Sequence, residues 1–219
     1  DADFETAVTN GTLGCMANVG QSCDAPTRML VPHERMEEAI QIAAAAANGL
    51  VTGDPTSPET DNGPIAFARQ YDKVISLIAK GIEEGAELAC GGVERPEGCE
   101  TGYFVRPTVF GRVTTEMTIA HEEIFGPVLA IVGYGDEEEA IRIANDTPYG
   151  LAAYLSSGDL ARARRVAARL RAGQVHINDA EADYDSPFGG YKQSGNGREA
   201  GEFGFEDFLE VKAVLGFNQ

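Results

Sequence analysis

Apolar residues recur at helical spacing in three early segments of the chain. Residues 3–17 begin with acidic positions and carry apolar side chains at helical intervals, so they predict a helix. The alanine-rich stretch after Pro32 predicts a second helix over about residues 33–48, which ends at Gly49. Pro64 starts a third pattern that runs to about residue 84. Its apolar face is formed by Ile65, Ala68, Tyr71, Val74, Ile75, Ile78 and Ile82.

Short apolar runs between the helices predict β-strands. Asp136 and Glu139 form an Asp-x-x-Glu capping box that starts another helix, and residues 159–172, followed by Gly173, predict a further one. Helices that alternate with short strands predict an α/β fold with a mostly parallel sheet and flanking helices. The strands are expected at residues 27–31, 86–90, 104–110, 128–132, 151–155 and 175–177.

After Gly204 the pattern changes to an alternation with period two, which predicts a solitary terminal strand over residues 208–217. Such a strand needs a partner edge, and either another subunit or the chain's own sheet could supply one. We therefore divide the chain into an α/β domain, residues 1–204, and a C-terminal strand or tail, residues 205–219.

Composition excludes several classes of function. The net charge of −18 argues against partners such as nucleic acid and anionic membranes, because both require a basic surface. No apolar run approaches the roughly 18 residues that span a bilayer. The four cysteines match neither a redox pair nor zinc ligands, so we expect no metal site and a cytoplasmic protein with reduced thiols. They are Cys15, Cys23, Cys90 and Cys99.

Cys23 has the sequence surroundings of a nucleophile. It ends the segment Asn-Val-Gly-Gln-Ser-Cys, where a glycine bend and small or polar neighbours give a thiolate access to substrate. The alternative interpretation is a small buried side chain, which is common for cysteine. That alternative suits Cys15 and Cys90, which lie in apolar segments, better than it suits Cys23.

Four separated segments resemble the aldehyde dehydrogenase superfamily and occur in the family's order. The first surrounds Cys23, the second is Gly-Tyr-Phe-Val-Arg-Pro-Thr-Val-Phe at residues 102–110, and the third is Ile-Ala-His-Glu-Glu-Ile-Phe-Gly-Pro-Val at residues 119–128. The fourth, residues 186–199, contains Ser-Pro-Phe-Gly-Gly-Tyr-Lys-Gln-Ser-Gly. The resemblance covers the chain from end to end and implies that residues 1–204 form the family's catalytic domain.

The resemblance also implies roles for particular residues. Cys23 matches the thiol that attacks the aldehyde, after which a hydride passes to nicotinamide and the thioester is hydrolysed. Glu123 and Phe125 match the Glu-x-Phe motif that contacts the ribose of NAD or NADP, a cofactor held mainly by the family's N-terminal half. Residues 186–190 match a segment that lines the substrate tunnel. The terminal strand matches the family's oligomerisation strand, which implies a homo-oligomer.

The resemblance does not extend to the family's N-terminal half, with its asparagine oxyanion donor and glutamate base. No Gly-x-Gly-x-x-Gly loop follows a predicted strand in this chain either. We therefore expect these residues alone to be inactive. One alternative is a catalytically silent folding and oligomerisation module. Another, a cysteine peptidase, would require His33 or His176 as the base.

The expected substrate is a small-molecule aldehyde. Asp24 follows the nucleophile directly, and four carboxylates crowd the stretch before Ser186. Carboxylates near a site repel a substrate carboxylate, by about 1 kcal/mol each at 4 Å in water. The sequence therefore favours a neutral or cationic aldehyde over a dicarboxylic semialdehyde. The four carboxylates are Asp179, Glu181, Asp183 and Asp185.

Overall fold

The computed structural model describes residues 1–217, and the last two residues of the expected terminal segment lie outside that range. The helices are α1 Phe4–Met16, α2 Met36–Asn48, α3 Ala68–Glu83, α4 Glu137–Asn145, α5 Leu160–Ala167 and α6 Gly201–Glu206. The strands are β1 Arg28–Pro32, β2 Glu87–Cys90, β3 Thr108–Val113, β4 Val128–Tyr134, β5 Ala152–Leu155 and β6 Gln174–Ile177.

The strands form two sheets. The first has the order β1-β4-β3-β2, in which β4 pairs in parallel with β1 and β3, while β2 runs antiparallel to β3. The second consists of β5 and β6, which also pair in parallel. The expected α/β fold with a mostly parallel sheet is confirmed.

Both faces of β3 and β4, the central strands of the first sheet, are largely buried. Val109 and Leu129 pack with residues of α1 and α2, whereas Phe110 and Val128 face α3 on the other side. A strand that is covered on both faces needs apolar residues at successive positions, which is why β4 reads as a continuous apolar run. The two buried clusters together fix how α1, α2 and α3 sit against the sheet.

Side-chain caps fix the starts of three helices. The Asp3 carboxylate accepts from the Thr6 N–H at the start of α1. The predicted helix start at Asp136 is confirmed, since its carboxylate accepts from the Glu139 N–H at the start of α4. The Glu139 side chain accepts from the Gly135 N–H instead of the Asp136 N–H that a full capping box uses. Asp159 starts α5 in the same way. Satisfying these otherwise unpaired N–H groups contributes about 1 kcal/mol per helix.

Three element boundaries differ from the sequence expectation for identifiable reasons. The third helix begins at Ala68 because the preceding Phe67 is extended, with φ of −160° and ψ of 161°. Before it, the Ile65 N–H donates to Tyr103 O. Strand β3 begins at Thr108, whose N–H donates to Pro127 O, since the preceding Pro107 has no N–H to offer the ladder. Helix α5 ends at Ala167.

The early end of α5 follows from competition by one side chain. The Asn145 amide donates to Arg169 O at 2.9 Å and accepts from the Arg171 N–H at 2.7 Å. These bonds engage backbone groups that a longer helix would have used. They also attach the second sheet to the end of α4.

The C-terminal segment differs most from expectation. The short helix α6 was not predicted, and within residues 1–217 the segment 208–217 forms no strand. The alternative that it pairs with the chain's own sheet is therefore wrong. Pairing with another subunit stays a prediction. Among the described residues, no helix is both long and apolar enough to cross a bilayer.

Replacing Phe110 tests the double-sided core. Phe110 is fully buried, so Phe110→Ala is expected to lower the free energy of unfolding by about 3–5 kcal/mol through lost burial and a residual cavity. The matched control is Phe208→Ala, at a side chain that is 86% exposed, where a change within about 0.5 kcal/mol is expected. Urea unfolding followed by circular dichroism measures both, and equal losses would contradict the assignment of the core.

Candidate active site

An open cleft of about 1370 Å³ separates the two sheets. Strand β1 lies at the edge of the first sheet, and residues from its whole length border this cleft. Residues of β5 border it from the opposite side. Cys23, Glu123 and Phe125 all lie on its walls, so the three candidate residues line the same cleft.

The segment before Cys23 is a sharp turn made by successive left-handed residues. Asn18, Val19 and Gly20 have φ of 50°, 61° and 65°. Positive φ values are energetically unfavourable for a β-branched residue such as Val19. Two side-chain hydrogen bonds stabilise the turn. The Asn18 amide donates to Gln21 O at 3.0 Å, and the Gln21 side chain accepts from the Ala66 N–H at 2.9 Å. Asn18 is thus a residue of the turn.

The turn at residues 18–20 lies directly against Gly126 and Pro127, which follow Glu123 and Phe125 in the chain. A Cβ on Gly20 would lie only 2.0 Å from Gly126 O and 2.9 Å from Pro127 N. Backbone therefore meets backbone at this point, and only glycine allows so close an approach. This contact places the thiol-bearing segment beside the residues that match the ribose-binding motif.

Gln70 holds the Phe125 turn from the other side. Phe125 has φ of 55°, which is strained for an aromatic residue. The Gln70 side-chain amide donates to Ile124 O at 2.9 Å and to Phe125 O at 3.0 Å, so a single group fixes two successive carbonyls. The Phe125 ring is half-buried and the Glu123 side chain is exposed. Sequence reasoning missed Gln70, which looks like any polar residue of an amphipathic helix.

Cys23 is exposed in the cleft, and its neighbours are fixed by hydrogen bonds. The Ser22 hydroxyl donates to the Asp24 carboxylate at 2.6 Å, and the Tyr154 hydroxyl donates to the Asp24 carbonyl at 2.9 Å. Burial, followed by the charges of Asp24 and Cys23, raises the pKa of Tyr154 to about 12. Tyr154 was not selected from the sequence, where it reads as an ordinary strand residue.

The other cysteines differ from Cys23 in exposure. Cys15 is fully buried, its thiol donates to Val128 O, and burial raises its pKa to about 12. Cys90 is half-buried, and burial raises its pKa as well. Cys99 is buried. Because a thiol needs to ionise and reach substrate, Cys23 is the cysteine best placed for covalent chemistry.

The acidic stretch before Ser186 is less concentrated at the cleft than the sequence suggested. Asp179 borders the cleft and accepts a hydrogen bond from the Asn10 amide at 2.8 Å. Asp183 instead accepts from the Ser186 hydroxyl, which lowers the pKa of its carboxyl. In the described chain, residues 186–190 do not border the cleft. Gly189 packs there against Gly197 and Arg198.

Within residues 1–217, no group of three or more acidic, cysteine or histidine side chains is arranged to hold a metal ion. The two histidines considered as bases have other surroundings. His33 packs against Gly133 at the carboxyl end of β4, whereas Cys23 precedes β1, which pairs in parallel with β4. His176 stacks on the Tyr154 ring, with its Nδ1 bonded to Ala180 O at 2.9 Å.

Comparison with known proteins gives a consistent result. The profile of the aldehyde dehydrogenase family matches residues 1–214. A 3-succinoylsemialdehyde-pyridine dehydrogenase from a Pseudomonas species is 57% identical over 217 residues, which are 99% of this chain and 46% of that protein. A putative aldehyde dehydrogenase of Staphylococcus aureus is 48% identical over the same share of each. The chain spans about half the length of the curated relatives it matches.

Solved structures agree. A cysteine-to-alanine mutant of aldehyde dehydrogenase C from Pseudomonas syringae, in complex with NAD+ and octanal, is 52% identical. It superposes with a TM-score of 0.97, over 99% of this chain and 45% of that one. An aldehyde dehydrogenase of Mycobacterium tuberculosis with bound NAD+ is 43% identical. Its TM-score is 0.93, over 100% of this chain and 46% of that one.

Substitution of Gly20 tests the backbone contact at the site. Gly20→Ala is expected to lower the free energy of unfolding by about 1–2 kcal/mol for a left-handed alanine plus about 1–3 kcal/mol for the clash with Gly126 O. Gly85→Ala is the matched control, because Gly85 also has positive φ but an added Cβ meets open space. Chemical unfolding compares the two, and equal losses would show that the contact with Gly126 is not tight.

Proposed function

Since the chain belongs to the aldehyde dehydrogenase family, we propose that it is the nucleophile-bearing part of an enzyme that oxidises an aldehyde to a carboxylic acid with NAD or NADP. The observation that carries this proposal is that the exposed Cys23 thiol, Glu123 and Phe125 line the same cleft. The contact between Gly20 and Gly126 supports it, because it holds the two segments together.

The proposed reaction begins with attack of the Cys23 thiolate on the aldehyde carbon, which gives a tetrahedral thiohemiacetal. The Cys23 backbone N–H is one donor to the oxygen that becomes negative, and a donor of this kind typically contributes about 3–4 kcal/mol of transition-state stabilisation. Loss of hydride converts the adduct to a thioester, and water then releases the acid and the free thiol. A glutamate base and an asparagine donor from the rest of the longer protein complete the site.

The nicotinamide cofactor accepts the hydride when it is bound. Glu123 and Phe125 suit its ribose by chemistry: an exposed carboxylate accepts two hydroxyl hydrogen bonds, and a half-buried ring offers a flat apolar surface. The NAD+ complexes of the related P. syringae and M. tuberculosis enzymes support this assignment. We propose that most of the cofactor contacts come from the family's N-terminal half.

The cleft itself supports a need for further polypeptide. Within residues 1–217, β1 and β5 each pair with one strand, and residues of both border the same cleft. Unpaired strand edges favour pairing with another segment. The curated relatives are about twice as long as this chain. We therefore propose that the isolated chain is inactive, and the alternative function is a catalytically silent folding and oligomerisation module.

The C-terminal residues support assembly into a homo-oligomer. Phe208, Val211 and Leu215 are 86%, 100% and 92% exposed. Exposure of apolar side chains to water is unfavourable, and association with another subunit would bury them. We propose that residues 1–204 form a catalytic domain and that residues 205–219 form a C-terminal oligomerisation segment. The segment would pair as a strand in the assembly.

The proposed substrate is a neutral or cationic aldehyde. The P. syringae relative binds octanal, which carries no charge. Asp179 borders the cleft of this chain and places a negative charge where a substrate carboxylate would be repelled. A peptidase is less well supported, because His33 lies at the far end of β4 and His176 is stacked on Tyr154.

The nucleophile is tested in the full-length protein that contains this chain. Cys23→Ala is expected to abolish NADH or NADPH formation from octanal, because the thiol that forms the adduct is gone. Cys90→Ala, at a half-buried thiol on β2, is the matched control and is expected to keep activity. The isolated chain is expected to form no NADH and to cleave no peptide. Activity in Cys23→Ala, or turnover by the isolated chain, would overturn the corresponding part of the proposal.

Substrate charge is tested by comparing octanal with succinic semialdehyde. Asp179→Asn removes the negative charge but keeps an oxygen for the Asn10 amide. This substitution is expected to raise kcat/KM for succinic semialdehyde about fivefold, because removing about 1 kcal/mol of repulsion corresponds to a factor of that size. The kcat/KM for octanal is expected to stay unchanged. Asp185→Asn is the control, because Asp185 does not border the cleft in the described chain. A preference of the unmodified enzyme for succinic semialdehyde would refute the charge argument.

A further inference from the structure

We propose that Tyr154 is a positioning residue for the nucleophile, which it serves by holding the carbonyl of Asp24 from across the cleft. The proposal rests on the proposed role of Cys23. Tyr154 is on β5, in the second sheet, while Asp24 follows Cys23 in the turn that leads to the first sheet. Their hydrogen bond, at 2.9 Å, therefore joins the two walls of the cleft at the residue next to the thiol.

The turn that presents Cys23, residues 18–24, is held by different hydrogen bonds before and after Cys23. Before Cys23, the bond from the Ala66 N–H to the Gln21 side chain ties the turn to the segment that leads into α3. After Cys23, the Ser22 hydroxyl bonds the Asp24 carboxylate, which is a contact within the turn. The Tyr154 hydroxyl supplies the long-range anchor on this second side. Fixing the Asp24 carbonyl fixes the plane of the peptide after it, and so limits how the turn that presents Cys23 can rotate.

The Tyr154 ring is itself held in place. It stacks on the His176 ring with a centroid distance of 4.9 Å and an angle of 18°, and the two residues are register partners on β5 and β6. The His176 Nδ1 donates to Ala180 O at 2.9 Å, because a carbonyl can only accept. Although Tyr154 is 45% exposed, this stacking orients the ring whose hydroxyl donates to Asp24 O.

The hydroxyl remains a donor under the conditions of thiol chemistry. Burial and the nearby Asp24 and Cys23 raise the pKa of Tyr154 to about 12, so the O–H stays protonated at neutral and mildly alkaline pH. Tyr154 needs to transfer no proton in this role.

The decisive variant is Tyr154→Phe in the full-length enzyme, because it removes the hydroxyl and keeps the ring that stacks on His176. We expect kcat for octanal and the single-turnover rate of NADH formation to fall about tenfold, as misplacement of a reacting group predicts. KM for NAD and the melting temperature are expected to stay unchanged. Tyr103→Phe is the matched control, because it also removes a tyrosine hydroxyl, but from a residue that does not border the cleft.

A purely structural role for Tyr154 predicts a different pattern. If only packing mattered, Tyr154→Phe would have wild-type kcat, and Tyr154→Ala would lower both kcat and the melting temperature. Wild-type kcat in Tyr154→Phe, with Cys23→Ala inactive, would overturn the positioning role and leave the nucleophile in place. Activity in Cys23→Ala would overturn both proposals, since no thiol would remain to be positioned.

Discussion

The contact of Gly20 with Gly126 is the constraint on which the candidate site depends. These two glycines lie in segments far apart in sequence, one before Cys23 and one after Phe125, and their backbones approach more closely than any side chain would permit. Left-handed backbone conformations occur on both sides of this contact, at residues 18–20 and at Phe125. Their strain is held by bonds from Gln21 and Gln70, side chains that reach backbone groups on neighbouring segments.

The first sheet supplies the rigid support for this crossing. Cys23 precedes β1 and Phe125 precedes β4. Because these two strands pair in parallel, both segments lie at the same end of the sheet, where the strands begin. Burial on both faces prevents the sheet from shifting relative to α1, α2 and α3. A site built at the start of well-packed strands is held more precisely than one on free loops.

The end of α4 connects this support to the second sheet. Arg28 on β1 donates to Ile143 O at 2.9 Å, and Lys192 donates to Asn145 O and Thr147 O at 2.8 and 3.0 Å. Cations near the carbonyl end of a helix are favourable, because that end carries partial negative charge. Burial lowers the pKa of Lys192, a cost that these carbonyl bonds offset. The same region carries the Asn145 bonds that end α5, so one helix terminus orients both walls of the cleft.

The sequence by itself determined the local features and the candidate residues. The α/β alternation and the helix start at Asp136 could be predicted, and Cys23, Glu123 and Phe125 could be selected as candidates, because each depends on residues close together in the chain. The tertiary structure alone decided the end of α5, the partners of Gln70 and the bond from Tyr154 to Asp24. It also showed that Asp179 borders the cleft while Asp183 turns to Ser186. These outcomes depend on which distant segments meet, and hydrophobic periodicity specifies that a face is buried without specifying which side chain or carbonyl lies opposite it.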